Sequence, residues 1–149
     1  MDTVAGKDFL HLASEVISRG GTIPFVACGA SMSPLIADGD TVILGPVSRL
    51  RIGDIVLVGN PDGRPVLHRI VRKKEGKVVT RGDACFEDDE AVPFASVIGR
   101  AIRVSGKGYN FHLTCPFGYL TGIGILRPTH FRKYPAFRNV LRKIARLLG

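Results

Sequence analysis

Short apolar runs rich in β-branched residues alternate with glycine-containing turns along most of this sequence. The chain has 149 residues, including 18 glycines and 9 prolines. This pattern predicts short strands joined by tight turns, with a hairpin turn at Asn60-Pro61-Asp62-Gly63. The predicted strands cover residues 22–28, 41–44, 55–58, 65–72, 77–81, 97–104 and 109–113. We therefore expect a mainly β fold, built as a small coiled antiparallel sheet.

One amphipathic helix is expected on each side of the β region. Apolar residues at helical spacing, followed by two glycines, predict a helix over residues 7–19. A second helix, predicted over residues 137–148, has an apolar face opposite a basic one. The expected organisation is an N-terminal helix within residues 1–21, a β domain over 22–114 and a basic, partly amphipathic tail over 115–149.

The positive charge of the chain is concentrated near its C-terminus. The formal net charge is +8, and seven basic residues with no acidic residue lie between Arg127 and Gly149. A basic amphipathic helix is typical of binding to an anionic membrane surface, although it can equally dock on its own domain. Nucleic acid is not an expected partner, because the tail has a continuous apolar face and the chain has no tryptophan.

Neither a membrane anchor nor a metal site is expected. Charged residues interrupt the first 20 residues, and no window of 18 residues is apolar throughout. This predicts a cytoplasmic or peripheral membrane location. The three cysteines show no CxxC spacing, so no metal and no cofactor is expected. Cys28 ends an apolar predicted strand, and burial of its thiol is expected.

The segment Gly29-Ala30-Ser31-Met32-Ser33-Pro34 directly follows the first predicted strand. A serine at a strand end, on a tight glycine-containing turn, is presented in the way that nucleophiles often are. Serine needs a base to become a nucleophile, and an imidazole base needs a group that orients it. His68 is a candidate base, and Asp83 and Asp89 are candidate orienting groups.

Each of these residues also has a purely structural interpretation. Ser31 can simply belong to a turn. His68 shares a strand face with Val66 and Ile70, as a buried core histidine would. Asp83 can cap a turn, and Asp89 lies in an acidic run that is expected to be solvated. Their joint occurrence is what favours catalysis.

The ordered motifs of this sequence resemble those of the S24/S26 serine peptidases, which join type I signal peptidases with self-cleaving repressors of the LexA kind. The resemblance covers residues 25–104 and rests on these motifs: Ser31-Met32-x-Pro34, Asp38-Gly39-Asp40, Gly53-Asp54-Ile55-Val56, His68-Arg69-Ile70 and Gly82-Asp83-Ala84. Most bacterial members use a lysine base. The histidine here is similar to that of the endoplasmic reticulum, archaeal and sporulation signal peptidases.

This resemblance implies a LexA/signal-peptidase type of fold and a role for each site residue. Ser31 corresponds to the nucleophile and His68 to the general base, with Asp83 or Asp89 supporting the base. Of the two, Asp83 is favoured for structure near the site, and Asp89 is left open as the partner of His68. The backbone N–H groups of Ser31 and Ala30 would bind the oxyanion. Met32 and Pro34 would contribute to substrate binding.

The sequence departs from the relatives in two ways that leave its function open. Gly29 stands where many signal peptidases have a serine that donates to the oxyanion. The residues before Ser31 resemble neither a membrane anchor nor a helix-turn-helix domain. We expect a serine endopeptidase of the signal-peptidase type that cleaves an extended peptide. The alternatives are a self-cleaving or regulatory LexA-like protein and a non-catalytic peptide-binding module.

Overall fold

The computed structural model describes residues 3–113 of the chain. Within them, the helix α1 spans Thr3–Ser18 and a 3₁₀ turn spans Phe94–Ser96. The strands are β1 (Ile23–Val26), β2 (Thr41–Gly45), β3 (Ile55–Gly59), β4 (Pro65–Lys74), β5 (Lys77–Arg81), β6 (Val92–Pro93), β7 (Val97–Gly106) and β8 (Tyr109–His112). The predicted C-terminal helix and tail lie outside the described residues.

The strands form one antiparallel sheet with the order β1-β2-β7-β3-β4-β5-β6, and β8 pairs with β7. The sheet curls into a half-barrel against α1. The prediction of a mainly β, coiled antiparallel fold with an N-terminal helix is therefore confirmed. In this order β1 lies at one edge of the described sheet, while β4 lies inside it between β3 and β5.

Glycine ends α1 as its sequence predicts. Gly20 has a φ of +84°, and its N–H donates a hydrogen bond of 2.9 Å to the carbonyl of Ile17. A glycine in this left-handed conformation satisfies helix carbonyls that have no partner within the helix. The helix begins at Thr3, four residues before the predicted start. Ala13 and Ile17 on its inner face are buried in the core.

Most predicted strands agree with the structure to within two residues, and the two short elements after residue 91 were not predicted. β6 has two residues and the 3₁₀ turn has three. Segments of this length are too short to show a hydrophobic period. β6 forms only because the backbone of β5 offers it an edge, where Val78 pairs with Val92.

The apolar side chains form a main core between the sheet and α1, and a smaller cluster around β3, β4 and β5. Leu44, Leu57 and Val42 in the main core have no exposed surface. Burying a side chain of this size stabilises the fold by about 1.5–3 kcal/mol. Within residues 3–113, no helix combines the length and the hydropathy that crossing a bilayer requires.

Candidate active site

The turn that carries Ser31 begins where β1 ends. Gly29 has a φ of +83°, which glycine adopts without steric cost. Its N–H donates a hydrogen bond of 2.7 Å to Oδ1 of Asp38, and the Ala27 N–H donates to the carbonyl of Asp40 at 2.8 Å. The loop before β2 thus fixes the sharp change of direction that precedes Ser31.

The residues after Ser31 continue this turn. The Ser33 N–H donates a hydrogen bond of 3.0 Å to the carbonyl of Ala30, and the Ser33–Pro34 peptide bond is cis. Ser31 is half-buried, whereas Met32 packs into the main core with 4% of its surface exposed. The buried methionine therefore anchors the turn and keeps the serine near the surface.

His68 lies in β4, and its imidazole is largely protected from solvent. Its side chain is 12% exposed, and its Nδ1 is 2.6 Å from Oδ2 of Asp89. A carboxylate can only accept hydrogen bonds, so Nδ1 carries the hydrogen and donates it. In the neutral ring the free lone pair is then on Nε2. This tautomer can accept a proton at Nε2.

Asp89 is held in place by β5. The hydroxyl of Thr80 donates a hydrogen bond of 2.7 Å to the same Oδ2, and the Asp89 N–H donates to the Thr80 carbonyl at 2.8 Å. Thr80 is 1% exposed and pairs with Ile70 of β4. The pairing of β4 with β5 therefore fixes the carboxylate relative to His68.

A second set of contacts keeps the acidic loop, residues 87–90, at the sheet. Asp88 bonds to Arg72 at 2.5 Å and to Arg81 at 3.3 Å. The expectation of a solvated loop holds for Asp88, which is exposed, but it misses that Asp88 and Asp89 are both tied to strand residues.

Gly82, directly after β5, is the point where the serine turn and the imidazole meet. A Cβ atom on Gly82 would lie 2.7 Å from the carbonyl oxygen of Ser31 and 3.0 Å from Nε2 of His68. The Ala84 N–H donates a hydrogen bond of 2.8 Å to the same carbonyl. The absence of a side chain at Gly82 is what allows the backbone of the turn to approach Nε2.

Ser31 and His68 also line the same cavity, which has a volume of about 610 Å³. The hydrogen bonds among residues 3–113 include none between Oγ of Ser31 and the imidazole. The structure therefore brings the two residues to one site, with Nε2 beside the backbone of the serine turn.

The two candidate aspartates have different partners. Asp83 forms a bidentate ion pair with Arg69, with distances of 2.7 and 2.6 Å, and both side chains are buried. Arg69 also donates to the carbonyl of Gly53 at 2.8 Å. Asp89 contacts the imidazole. Asp89 is therefore the aspartate that contacts His68, whereas Asp83 pairs with Arg69.

The backbone N–H groups that are predicted to bind the oxyanion differ from the neighbouring N–H of Gly29 in their hydrogen bonding. The Gly29 N–H is engaged by Asp38. Within residues 3–113, the N–H groups of Ala30 and Ser31 donate to no protein acceptor. These two N–H groups remain candidates for binding an oxyanion.

The cavity contains one of the two predicted substrate-binding residues. Met32 is among the described residues that line it, and Pro34 is not. Cys28 also lines the cavity and is exposed, so its expected burial is wrong. The reason is that β1 ends at Val26, which leaves Cys28 in the turn rather than in the sheet.

Sequence reasoning assigned no role in the site to three residues that shape it: Thr80, and Arg69 and Gly82, which occur in the quoted motifs. Arg69 shares β4 with His68 but belongs to the opposite face, where an arginine is usually exposed. A buried arginine needs a buried acidic partner. The sequence signal for this partner was Asp83, which follows Gly82 directly after a predicted strand. No local pattern reveals that Thr80 bonds to Asp89, because the two residues lie nine positions apart.

A comparison with protein families matches residues 2–102 to the family described as Peptidase S24-like. The chain belongs to this family. The match includes α1, the serine turn, β4 and the Gly82–Asp89 loop of the S24-like fold. No curated protein and no solved structure gives a significant match. Among the described residues, no group of three or more potential metal ligands occurs.

Proposed function

We propose that this S24-like protein is a serine endopeptidase of the signal-peptidase type, in which His68 activates Ser31 and Asp89 orients His68. The observation that carries the proposal is the 2.6 Å contact between Nδ1 of His68 and Asp89, with Nε2 beside the Ser31 turn. A histidine held by a carboxylate on one nitrogen is prepared to accept a proton on the other.

The proposed reaction is acyl transfer. Nε2 of His68 takes the proton of the Ser31 hydroxyl as its oxygen attacks the peptide carbonyl, which forms a tetrahedral intermediate. The same imidazole then protonates the leaving amine, and an acyl-serine ester remains. A water molecule then gives one proton to His68 and attacks this ester. As the bond between the acyl carbon and Oγ of Ser31 breaks, His68 returns the proton to Oγ, which restores the serine. Asp89 stays ionised and stabilises the imidazolium that forms in each half of the reaction.

The backbone N–H groups of Ala30 and Ser31 would bind the oxyanion in this mechanism. Removing one such donor typically raises the barrier by about 2.7–4 kcal/mol. Gly29 provides no side-chain donor, so catalysis would depend on the backbone geometry of the turn. Two hydrogen bonds fix this geometry: the Gly29 N–H donates to Asp38, and the Ala84 N–H donates to the Ser31 carbonyl.

An extended peptide is the substrate that the cavity fits. Its walls include the edge strand β1 and the beginning of β4. A free strand edge can pair with a peptide backbone through main-chain hydrogen bonds. Pro24 in β1 lacks an N–H, as is typical of edge strands, but its carbonyl and the groups of Val26 remain able to pair.

The experiment that tests the proposal is covalent labelling with a fluorophosphonate probe, followed by peptide mapping. We expect labelling at Ser31, its loss in Ser31→Ala, and a strong reduction in His68→Ala. His112→Ala is the matched control, because His112 is exposed in β8. Labelling that is unchanged in His68→Ala would exclude the proposed base. No labelling at Ser31 in the folded protein would favour a non-catalytic binding module.

The same samples distinguish an endopeptidase from a self-cleaving regulator. An endopeptidase leaves its own mass unchanged while it cleaves added peptides. A self-cleaving protein would convert to two fragments on incubation, in a reaction whose rate does not depend on protein concentration. Intact mass spectrometry over time reports both outcomes.

A further inference from the structure

The cavity at Ser31 continues away from the catalytic residues, between β1 and the first half of β4. One end is lined by Ser31 and His68, and the other by Gly6 of α1 and Arg64. Gly6 lies against the chain just before β4, since a Cβ there would be 3.6 Å from Cα of Arg64. The walls between the two ends are mainly apolar and include Phe9, Phe25 and Val66.

Arg64 lines the cavity at the end that is remote from Ser31. Arg64 is exposed, and the aliphatic chain of Lys7 packs on the preceding residue, Gly63. Within residues 3–113, neither cation forms an ion pair with a carboxylate. A cationic side chain without a carboxylate partner can attract an anionic group of a bound peptide.

We propose that Arg64, assisted by Lys7, selects peptides with an acidic side chain several residues from the bond to be cut. The inference rests on the proposed peptidase function and names its substrate class. The preferred peptide has apolar side chains next to the cut, which face the apolar walls, and a carboxylate that reaches the cationic end. Charge complementarity at one end of an apolar groove is what separates this class from neutral or basic peptides.

The number of residues between the cut and the acidic side chain follows from β4, which forms one wall of the cavity. Arg64 precedes His68 by four residues, and an extended chain advances about 3.3 Å per residue. A peptide that runs extended beside β4 therefore spans the same distance with about four residues. Since the arginine side chain is long and exposed, the carboxylate belongs about three to six residues from the cut.

The test begins with a peptide library made by digesting a bacterial proteome. The full chain is incubated with the library, and new peptide ends are identified by mass spectrometry. We expect Asp and Glu to be enriched at one position, about three to six residues from the cut. Matched peptides with Glu, Gln or Lys there should then differ in kcat/KM, with Glu over Gln by about three- to fivefold, as exposed ion pairs give.

Charge reversal makes the test specific. Arg64→Glu should invert the preference, so that the Lys peptide becomes the better substrate, and Lys7→Glu should weaken the preference for Glu. Arg49→Glu is the matched control, because Arg49 is an exposed arginine that does not line the cavity. It should keep the original preference. High salt should reduce the difference between the Glu and Lys peptides.

The outcomes separate this inference from the function on which it rests. If the wild-type chain cleaves no peptide, the proposed function fails and the inference fails with it. If the chain cleaves peptides without an acidic preference, or if Arg64→Glu keeps the acidic preference, the inference is overturned and the peptidase function stands. An inverted preference in Arg64→Glu supports both.

Discussion

Arg69 and Asp83 form a buried bidentate ion pair one residue away from the candidate base His68. Arg69 extends the link to the carbonyl of Gly53, so the pair joins β4 to the loops before β3 and after β5. Removing one partner of a buried ion pair leaves an uncompensated charge in the protein interior. This relationship predicts that Asp83 contributes to folding rather than to the chemical step.

Asp83→Ala should therefore lower the free energy of unfolding by about 3–5 kcal/mol, because the guanidinium of Arg69 remains buried without its partner. Chemical denaturation of the purified chain measures this change. Asp62→Ala is the matched control, since Asp62 is exposed in the hairpin turn and should change stability little. An Asp83→Ala protein as stable as wild type would contradict the structural role.

Asp89→Asn should have the opposite effect to Asp83→Ala: the protein should keep its stability and lose most of its activity. The amide can keep one hydrogen bond to the imidazole, but it cannot stabilise the imidazolium and can hold the ring in the wrong tautomer. We expect the rate of probe labelling at Ser31 to fall by at least about 100-fold. Asp88→Asn controls for the charge of the loop. Equal loss in both variants would argue against a specific role of Asp89.

Thr80 should matter through its hydroxyl, which bonds to Asp89 from a buried position. Thr80→Val keeps the shape of the side chain and removes the donor, and a lost hydrogen bond to a charged group is worth about 1.5–3 kcal/mol. We expect slower labelling at Ser31 in Thr80→Val and recovery in Thr80→Ser. Labelling rates at Ser31, compared with melting curves of the same variants, separate positioning from stability. Equal rates in the two variants would show that the hydroxyl has no positioning role.

The basic tail gives a prediction that rests on sequence alone, because residues 114–149 lie outside the described residues. We propose that it binds anionic bilayers, where each basic residue near the surface contributes about 1 kcal/mol. Replacing Arg138, Arg142, Lys143 and Arg146 by Glu in the full chain should abolish sedimentation with anionic vesicles. Wild-type protein should not pellet with neutral vesicles. Persistent pelleting of the variant with anionic vesicles would exclude the tail as the anchor.

The fold could be predicted largely from local signals. Gly20 ends α1, and the turn at residues 60–63 closes the hairpin between β3 and β4, with Gly63 at a φ of +77°. Each signal acts within a few residues, which is why sequence reasoning finds it. β6 could not be predicted in this way, because its two residues become a strand only by pairing with β5.

The candidate site was predictable in its residues but not in its pairings. The sequence indicates Ser31, His68 and two aspartates. It favours a structural role for Asp83 and leaves Asp89 open as the partner of His68, but it does not rank them firmly. The choice depends on the register between β4 and β5, which places Arg69 with Asp83 and leaves Asp89 to the imidazole. Register is a property of the folded sheet, so no local motif could have settled which aspartate contacts His68.

Gly82 gives the most direct test of how the two halves of the site meet. In Gly82→Ala, the added methyl group would lie 2.7 Å from both the Ser31 carbonyl oxygen and Sγ of Cys85, and 3.0 Å from Nε2 of His68. The Cys85 side chain can rotate, but the serine turn can make room only by moving its backbone.

We expect the rate of probe labelling at Ser31 to fall at least about tenfold in Gly82→Ala, because misplacement of reacting groups by a fraction of an ångström is costly. Since Gly82 lies beyond the end of β5, the core should keep its structure, and circular dichroism of the variant checks this. A Gly82→Ala protein that folds and labels at the wild-type rate would mean that the close approach of the serine turn to the imidazole has no part in catalysis.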